Sequence, residues 1–210
     1  DRDWSSDVCS SDLWRYQQVI GLLENVLRDP PLPVGALLTL EVGDKELFHS
    51  RPIVGAPAPQ SKPSMHLLDG QQRMTALWRS LTGDYKRDDV EVFISLKPAE
   101  PDEESEIESS ESLDAPKVEA IKRWTRKGIP QPEWANDATT MLHEGYIPAT
   151  ILCPGSQGEE AMTKWRSAVE AAGAMTFDLV TRLTTLRQRV AKYDIPFLAL
   201  GPQTGRGTAL

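Results

Sequence analysis

The pentapeptide DGQQR at residues 69–73 places a carboxylate, two amides and a guanidinium around one glycine. The residues before it predict a short buried strand over Met65–Leu68. Those after it predict a helix over Gln71–Leu81 that stops at Gly83, because Met74 and the leucines that follow recur at helical spacing. A turn between a strand and a helix gathers the free amides of the first helical turn, where an anion can bind. The pentapeptide therefore predicts a phosphate-facing turn.

Each residue of this turn has a chemical use. Gly70 permits a backbone conformation that a Cβ would forbid, and Asp69 is predicted to cap the helix by accepting from its free amides. Arg73 lies four residues after Asp69, so both point to one side, and its guanidinium can bind two phosphate oxygens. Gln71 and Gln72 can orient a water or bond to a phosphate or base. An ordinary capped helix with an exposed ion pair worth roughly a few tenths of a kcal/mol stays open as an alternative.

The surrounding pattern predicts a mixed α/β fold around one sheet. Helices are predicted from Trp14 to the Asp29-Pro30 break, and over Val118–Arg126, Glu159–Ala172 and Thr176–Tyr193. Strands are predicted over Val34–Val42, Val90–Leu96 and Ile195–Leu200. Residues 43–63 are predicted to form a loop, and the chain from the Val118–Arg126 helix to about residue 157 is predicted to be irregular.

Composition divides the chain into four parts. Residues 3–13 match one reading frame of a common sequencing-library adapter, so we expect residues 1–13 to be a non-native segment, with a natural disordered tail as the alternative, and exclude them from the fold. Residues 14–97 hold the pentapeptide and the predicted core, and residues 98–117 form a predicted acidic low-complexity loop. Residues 118–210 are a predicted helical extension that returns to the core with a strand near 195–200.

The charge and the metal-binding residues limit the function classes. The 210-residue chain has a net charge of −8, or −5 without residues 1–13, which is unlike a protein that coats DNA with Lys and Arg. Cys9 and Cys153 form no CxxC pair, and His49, His66 and His143 are isolated, so no metal site is predicted. No apolar run approaches the ~18 residues of a membrane span, and the amino end does not look like a signal peptide. We expect a soluble, cytoplasmic protein.

The stretch LLDGQQRMTAL, Leu67–Leu77, resembles the DGQQR signature of the N-terminal domain family of GmrSD-type restriction endonucleases. Trp14, Leu22–Leu27 and Pro33–Leu38 resemble further pieces of that family in the same order, so the resemblance covers about residues 14–84. The family's upstream Tyr-Gln-Arg element is absent, with residues 1–13 in its place. Its Phe-x-x-x-Asn element, expected after Phe197, is absent too. We therefore expect a truncated fragment.

The resemblance implies a ParB/sulfiredoxin-like core with a polar insertion and C-terminal helices. It implies a prokaryotic modification-dependent restriction or anti-phage defence protein, with NTP-dependent or phosphodiester-hydrolysing chemistry at the turn. The implied catalytic residues are Asp69, Gln71, Gln72 and Arg73, and the implied phosphate- or nucleotide-binding residues are Gly70, Gln71, Arg73 and Thr75.

The resemblance also implies cofactors and partners. The implied cofactors are Mg²⁺ and an NTP, and the implied partners are DNA, nucleotide and an HNH nuclease domain or subunit, with no membrane. Arg73 would stabilise developing phosphate charge, Asp69 would hold the turn or a divalent ion, and a glutamine would position water. Two alternatives stay open: a ParB-like module that binds DNA or nucleotide as a sensor without catalysis, and a scaffold without a site.

Overall fold

The computed structural model describes residues 15–43, 52–53, 55–57, 61–85, 88–97 and 116–203. The predicted adapter-derived segment 1–13 lies outside the described residues, as do Trp14 and most of the predicted acidic loop 98–117. Part of the predicted loop 43–63 is also outside them. Within the described part of the chain, no helix is both long enough and apolar enough to cross a membrane.

The described residues form five α-helices and eight short strands, so the chain is a mixed α/β protein, as predicted. The helices are α1 (Tyr16–Leu27), α2 (Gln71–Thr82), α3 (Ala138–His143), α4 (Ser156–Ala171) and α5 (Phe177–Ala191). The strands are β1 (Leu37–Glu41), β2 (Met65–Asp69), β3 (Val90–Ser95), β4 (Val118–Lys122), β5 (Trp124–Arg126), β6 (Ile129–Gln131), β7 (Tyr146–Pro148) and β8 (Phe197–Leu200). Two 3₁₀ turns cover Glu133–Asn136 and Ala149–Leu152.

The elements with strong apolar periodicity lie close to where the sequence predicts them. This holds for α1, α2, α4 and α5 and for β1, β2, β3 and β8. Gly83 ends α2 with a φ of 72°, which confirms it as the stop. Strand β2, at one edge of its sheet, is less buried than predicted: His66 is buried, but Met65 is 47% exposed.

The predicted helix Val118–Arg126 is wrong, because this segment forms β4 and β5. Strand β4 pairs antiparallel with β3 along its whole length, from Lys122 opposite Val90 to Val118 opposite Ile94. Pairing with β3 and burial of Val118 outweigh the helix propensity of the Glu, Ala and Lys between them. Strands β6 and β7 and helix α3 lie in the chain that was predicted to be irregular.

Three sheets organise the strands. The central sheet has the order β4-β3-β7, the outer sheet has the order β2-β1-β8, and β5 and β6 form a separate hairpin. Strand β8 runs parallel to β1, and the other pairs are antiparallel. The main core lies between the central sheet and helices α1, α4 and α5; its most buried members include Leu23, Ile94, Ile147, Val169 and Leu183.

A smaller cluster covers the other face of β3. The Phe93 ring meets Trp134 edge to face at 5.2 Å between ring centroids, and Trp134 stacks on Tyr146 at 4.9 Å. By contrast, no described residue of the outer sheet belongs to either buried cluster. Contacts outside these two apolar clusters must therefore hold most of the outer sheet in place.

Tyr85 packs at the end of α2, where it is 5% exposed. The Arg79 guanidinium lies 4.1 Å from the centroid of its ring, and the Tyr16 ring meets it edge to face at 5.8 Å. Burial raises the pKa of the Tyr85 hydroxyl above its ordinary value, although the charge of Arg79 acts in the opposite direction.

We expect the free energy of unfolding to fall as the pH rises above about 10. In that range the unfolded chain releases the Tyr85 proton while the folded chain still holds it, because the folded pKa is raised. Replacing Tyr85 by Phe should reduce this fall. Urea unfolding of both proteins from pH 8 to pH 11 measures the slope, and an identical slope in the variant would contradict the role of Tyr85.

Candidate functional site

The DGQQR turn (residues 69–73) joins the outer sheet to α2. Strand β2 ends at Asp69, Gly70 takes a left-handed conformation with a φ of 97°, and α2 begins at Gln71. The side chains of Gln71 and Gln72 are exposed to solvent. The strand, glycine and helix therefore have the order that the sequence predicts, with both glutamines on the surface.

Asp69 is not the cap of α2, which corrects the prediction. The N-cap residue is Gly70, which has no side chain with which to cap the helix. The Asp69 carboxylate instead accepts a hydrogen bond from Nη2 of Arg73 at 3.0 Å. Gly70 therefore occupies the cap position that the sequence assigned to Asp69, and the Asp69 carboxylate is bonded to Arg73 instead.

Arg73 is an anchor between α2 and the segment before β1. Its Nη1 donates to the carbonyls of Val34 at 3.1 Å and Ala36 at 2.9 Å, in addition to the Nη2 bond to Asp69. These contacts use three of the five guanidinium N–H groups, and the Arg73 side chain is only 15% exposed. The prediction that Arg73 and Asp69 meet is confirmed, but most of the guanidinium binds the protein itself.

Two glycines allow this close packing. A Cβ on Gly35, which has a φ of 88°, would lie 2.6 Å from Nη1 of Arg73. A Cβ on Gly70 would lie 2.3 Å from Cδ2 of Leu37. Only glycine therefore fits at either position without displacing Arg73 or Leu37.

Tyr193, just beyond α5, holds the same segment from the other side. Its hydroxyl donates to the Leu32 carbonyl at 2.7 Å and accepts from the Val34 amide at 3.1 Å. Burial raises the pKa of Tyr193, and the bond from Val34 partly offsets this. Sequence reasoning missed these contacts, because residues 159 to 161 positions apart leave no local pattern.

Thr75 is poorly placed to bind phosphate at the turn, and the turn offers few ligands for the implied metal. Thr75 is 5% exposed and lies on the buried side of α2, whereas Gln71 and Gln72 face solvent. The described residues contain no group of three or more His, Cys, Asp or Glu side chains that could hold a metal ion. Asp69 is the one carboxylate of the turn, and it is paired with Arg73. The turn therefore does not fit a protein-held metal.

Two cavities lie elsewhere in the described part of the chain. One, of about 490 Å³, lies between α4 and α5 beside Cys153 and an ion pair of Arg187 with Glu159. The other, of about 590 Å³, lies between the end of α2 and β3 beside Glu91 and Arg123. Neither is lined by a residue of the DGQQR turn.

Comparison with protein-family models, with curated proteins and with solved structures finds no match for this chain. The class that the structure defines is a mixed α/β protein with an exposed strand–glycine–helix turn.

We expect Gly70→Ala to destabilise the protein by more than the left-handed strain of about 1–3 kcal/mol alone. The added Cβ also meets Cδ2 of Leu37, so the Leu37 side chain must move away from the turn. Gly173→Ala is the matched control, because Gly173 has a φ of 68° and nothing within 4 Å of the added Cβ. Urea unfolding compares the two, and equal losses would disprove the close packing at Gly70.

Proposed function

We propose that this chain belongs to a prokaryotic modification-dependent restriction or anti-phage defence protein, and that its DGQQR turn binds a phosphate group for NTP or phosphodiester hydrolysis. The observation that carries the proposal is the start of α2, where the N-cap is Gly70, which has no side chain to offer the first amides, and where Gln71 and Gln72 are exposed. Such amides bind anions well, because the helix dipole is positive at that end. The proposal includes a ParB/sulfiredoxin-like core, a cytoplasmic location, and DNA and an HNH nuclease as partners.

Arg73 supplies a fixed positive charge beside this anion site. Its three hydrogen bonds hold the guanidinium in one place, so no reorganisation is needed when charge develops on a phosphate. The ion pair with Arg73 also reduces the repulsion that the Asp69 carboxylate would exert on an anion. Gln71 and Gln72 carry amides that can orient an attacking water.

Nucleotide would arrive with Mg²⁺ already on its phosphates, because Mg²⁺ keeps several waters and uses few protein ligands. The residues of the turn do not form a metal cage. No hydrolytic step is therefore assigned to a protein-bound metal. What the chain itself contributes is binding through amides, a fixed cation and water orientation.

A sensor that binds phosphate without turnover is the second candidate. One observation favours it: Asp69, the one carboxylate in the turn, already accepts a bond from Arg73. A general base must be within reach of the proton that it removes, and the Asp69 carboxylate is already bonded to Arg73. Binding would then use the same amides and glutamines but release no product.

We expect the Gln71→Ala, Gln72→Ala double variant to lower phosphate release from an NTP with Mg²⁺ by about 100-fold. Both side chains are exposed, so the fold should be unaffected. Gln157→Ala is the matched control, because Gln157 is also exposed in the first turn of a helix with a glycine N-cap, α4. Phosphate release and NTP binding by calorimetry are measured on the same samples.

Three results separate the candidates. A loss of release in the double variant but not in the control supports hydrolysis at the turn. NTP binding without any release in the unmodified protein supports the sensor. No NTP binding in the unmodified protein supports a purely structural role for the Arg73 contacts and overturns the proposal.

A further inference from the structure

The hairpin formed by β5 and β6 carries a local concentration of positive charge. The segment Lys122–Gln131 contains four basic residues and no acidic residue, in a chain whose net charge is −8. We call this segment the basic hairpin. The charge of the basic hairpin is opposite in sign to the net charge of the chain. A need for solubility alone therefore does not explain these basic residues.

The basic hairpin stands apart from the other sheets. Strands β5 and β6 pair only with each other among the described strands. They are joined by Lys127 and Gly128, which both have positive φ angles, 51° and 81°, as in the tight turns that suit the twist of a hairpin. Every residue from Trp124 to Pro130 is exposed.

The base of the hairpin is firmly held. Nη1 of Arg123 donates to the Pro132 carbonyl at 3.3 Å, and its Nη2 donates to the Asn136 side chain. Asn136 in turn donates to the Pro130 carbonyl at 2.8 Å, and Arg123 forms an ion pair with Glu91. Arg123 is thus used inside the protein, while Lys122, Arg126 and Lys127 face solvent.

One face of the hairpin combines an aromatic ring with a cation. Trp124 and Arg126 are two residues apart on β5, so they share a face at a separation of roughly 7 Å along the strand. Ile129 lies opposite Arg126. Trp124 is 55% exposed and Ile129 is 50% exposed, although both are large apolar residues. Exposed aromatic and apolar side chains among cations are typical of a binding surface.

We propose that the basic hairpin binds single-stranded nucleic acid. A base would stack on the indole of Trp124, and the phosphates on either side would contact Arg126, Lys127 and Lys122. Stacking on an aromatic ring combined with cations along the backbone is how proteins bind unpaired strands without sequence preference. An acidic peptide would satisfy the cations but would not supply the planar rings that an exposed indole binds. This inference does not depend on phosphate binding at the DGQQR turn.

The test uses the whole chain and a fluorescently labelled oligothymidine of twelve nucleotides, followed by fluorescence anisotropy. We expect binding that weakens as salt increases. Arg126→Gln and Lys127→Gln should each lower the slope of log K against log salt by roughly 0.7. Trp124→Ala should weaken binding about tenfold or more, and Trp124→Phe should restore part of that loss.

Matched controls separate the hairpin from general charge and apolar effects. Lys164→Gln in α4 and Phe177→Ala in α5 remove an exposed cation and an exposed aromatic ring elsewhere. They should leave binding unchanged. Circular dichroism of each hairpin variant checks that the fold is retained.

Several results would overturn the proposal. These are no binding at low salt, hairpin variants that bind as tightly as the unmodified protein, or equal losses in the controls. Equal or tighter binding of a duplex, of polyglutamate or of anionic lipid vesicles would assign the surface to that partner instead. Selective competition by unlabelled oligothymidine would support the proposal.

Discussion

The guanidinium of Arg73 lies between two parts of the molecule that share little apolar packing. Helix α2 belongs to the main core through Ala76, whereas no described residue of the outer sheet joins either buried cluster. Hydrogen bonds from Arg73 to the carbonyls of Val34 and Ala36, and to Asp69 at the end of β2, connect the two. Through these bonds one side chain joins α2 to both β2 and the segment before β1, although the pair with Asp69, which is 72% exposed, contributes little to stability.

This structural duty shapes what the DGQQR turn can do. A guanidinium that must hold two backbone carbonyls cannot swing out to follow a substrate, but its charge stays in a fixed place beside the start of α2. The groups that face solvent there are the amides of the first helical turn and the side chains of Gln71 and Gln72. Fixed dipoles and a fixed cation suit anion binding. The turn has fewer groups that could transfer a proton.

Charged residues are distributed unevenly in this protein, so the net charge of the chain does not describe the charge of each local surface. The chain as a whole is acidic, yet Lys122–Gln131 has only basic charges. The basic hairpin is built on Arg123, which is buried against Asn136 and the Pro132 carbonyl, so one of its cations serves the fold and the others face solvent. Arg73 and Arg123 share this use: Arg73 bonds to the carbonyls of Val34 and Ala36, and Arg123 bonds to the carbonyl of Pro132. In both places an exposed surface is held in shape by a largely buried arginine.

The sequence by itself determined the elements whose apolar residues repeat at a regular spacing, such as α1, α2, α5 and β3, and it located the strand–glycine–helix order of the turn. It did so because burial of one face requires a pattern that is visible within a dozen residues. Only the tertiary structure decided that Val118–Lys122 is a strand, that Gly70 rather than Asp69 occupies the cap of α2, and that Arg73 bonds to Val34. The first depends on pairing with β3, and the last joins residues 39 positions apart. Such contacts depend on where the folded chain places its backbone carbonyls. The local spacing of residue types does not predict those positions.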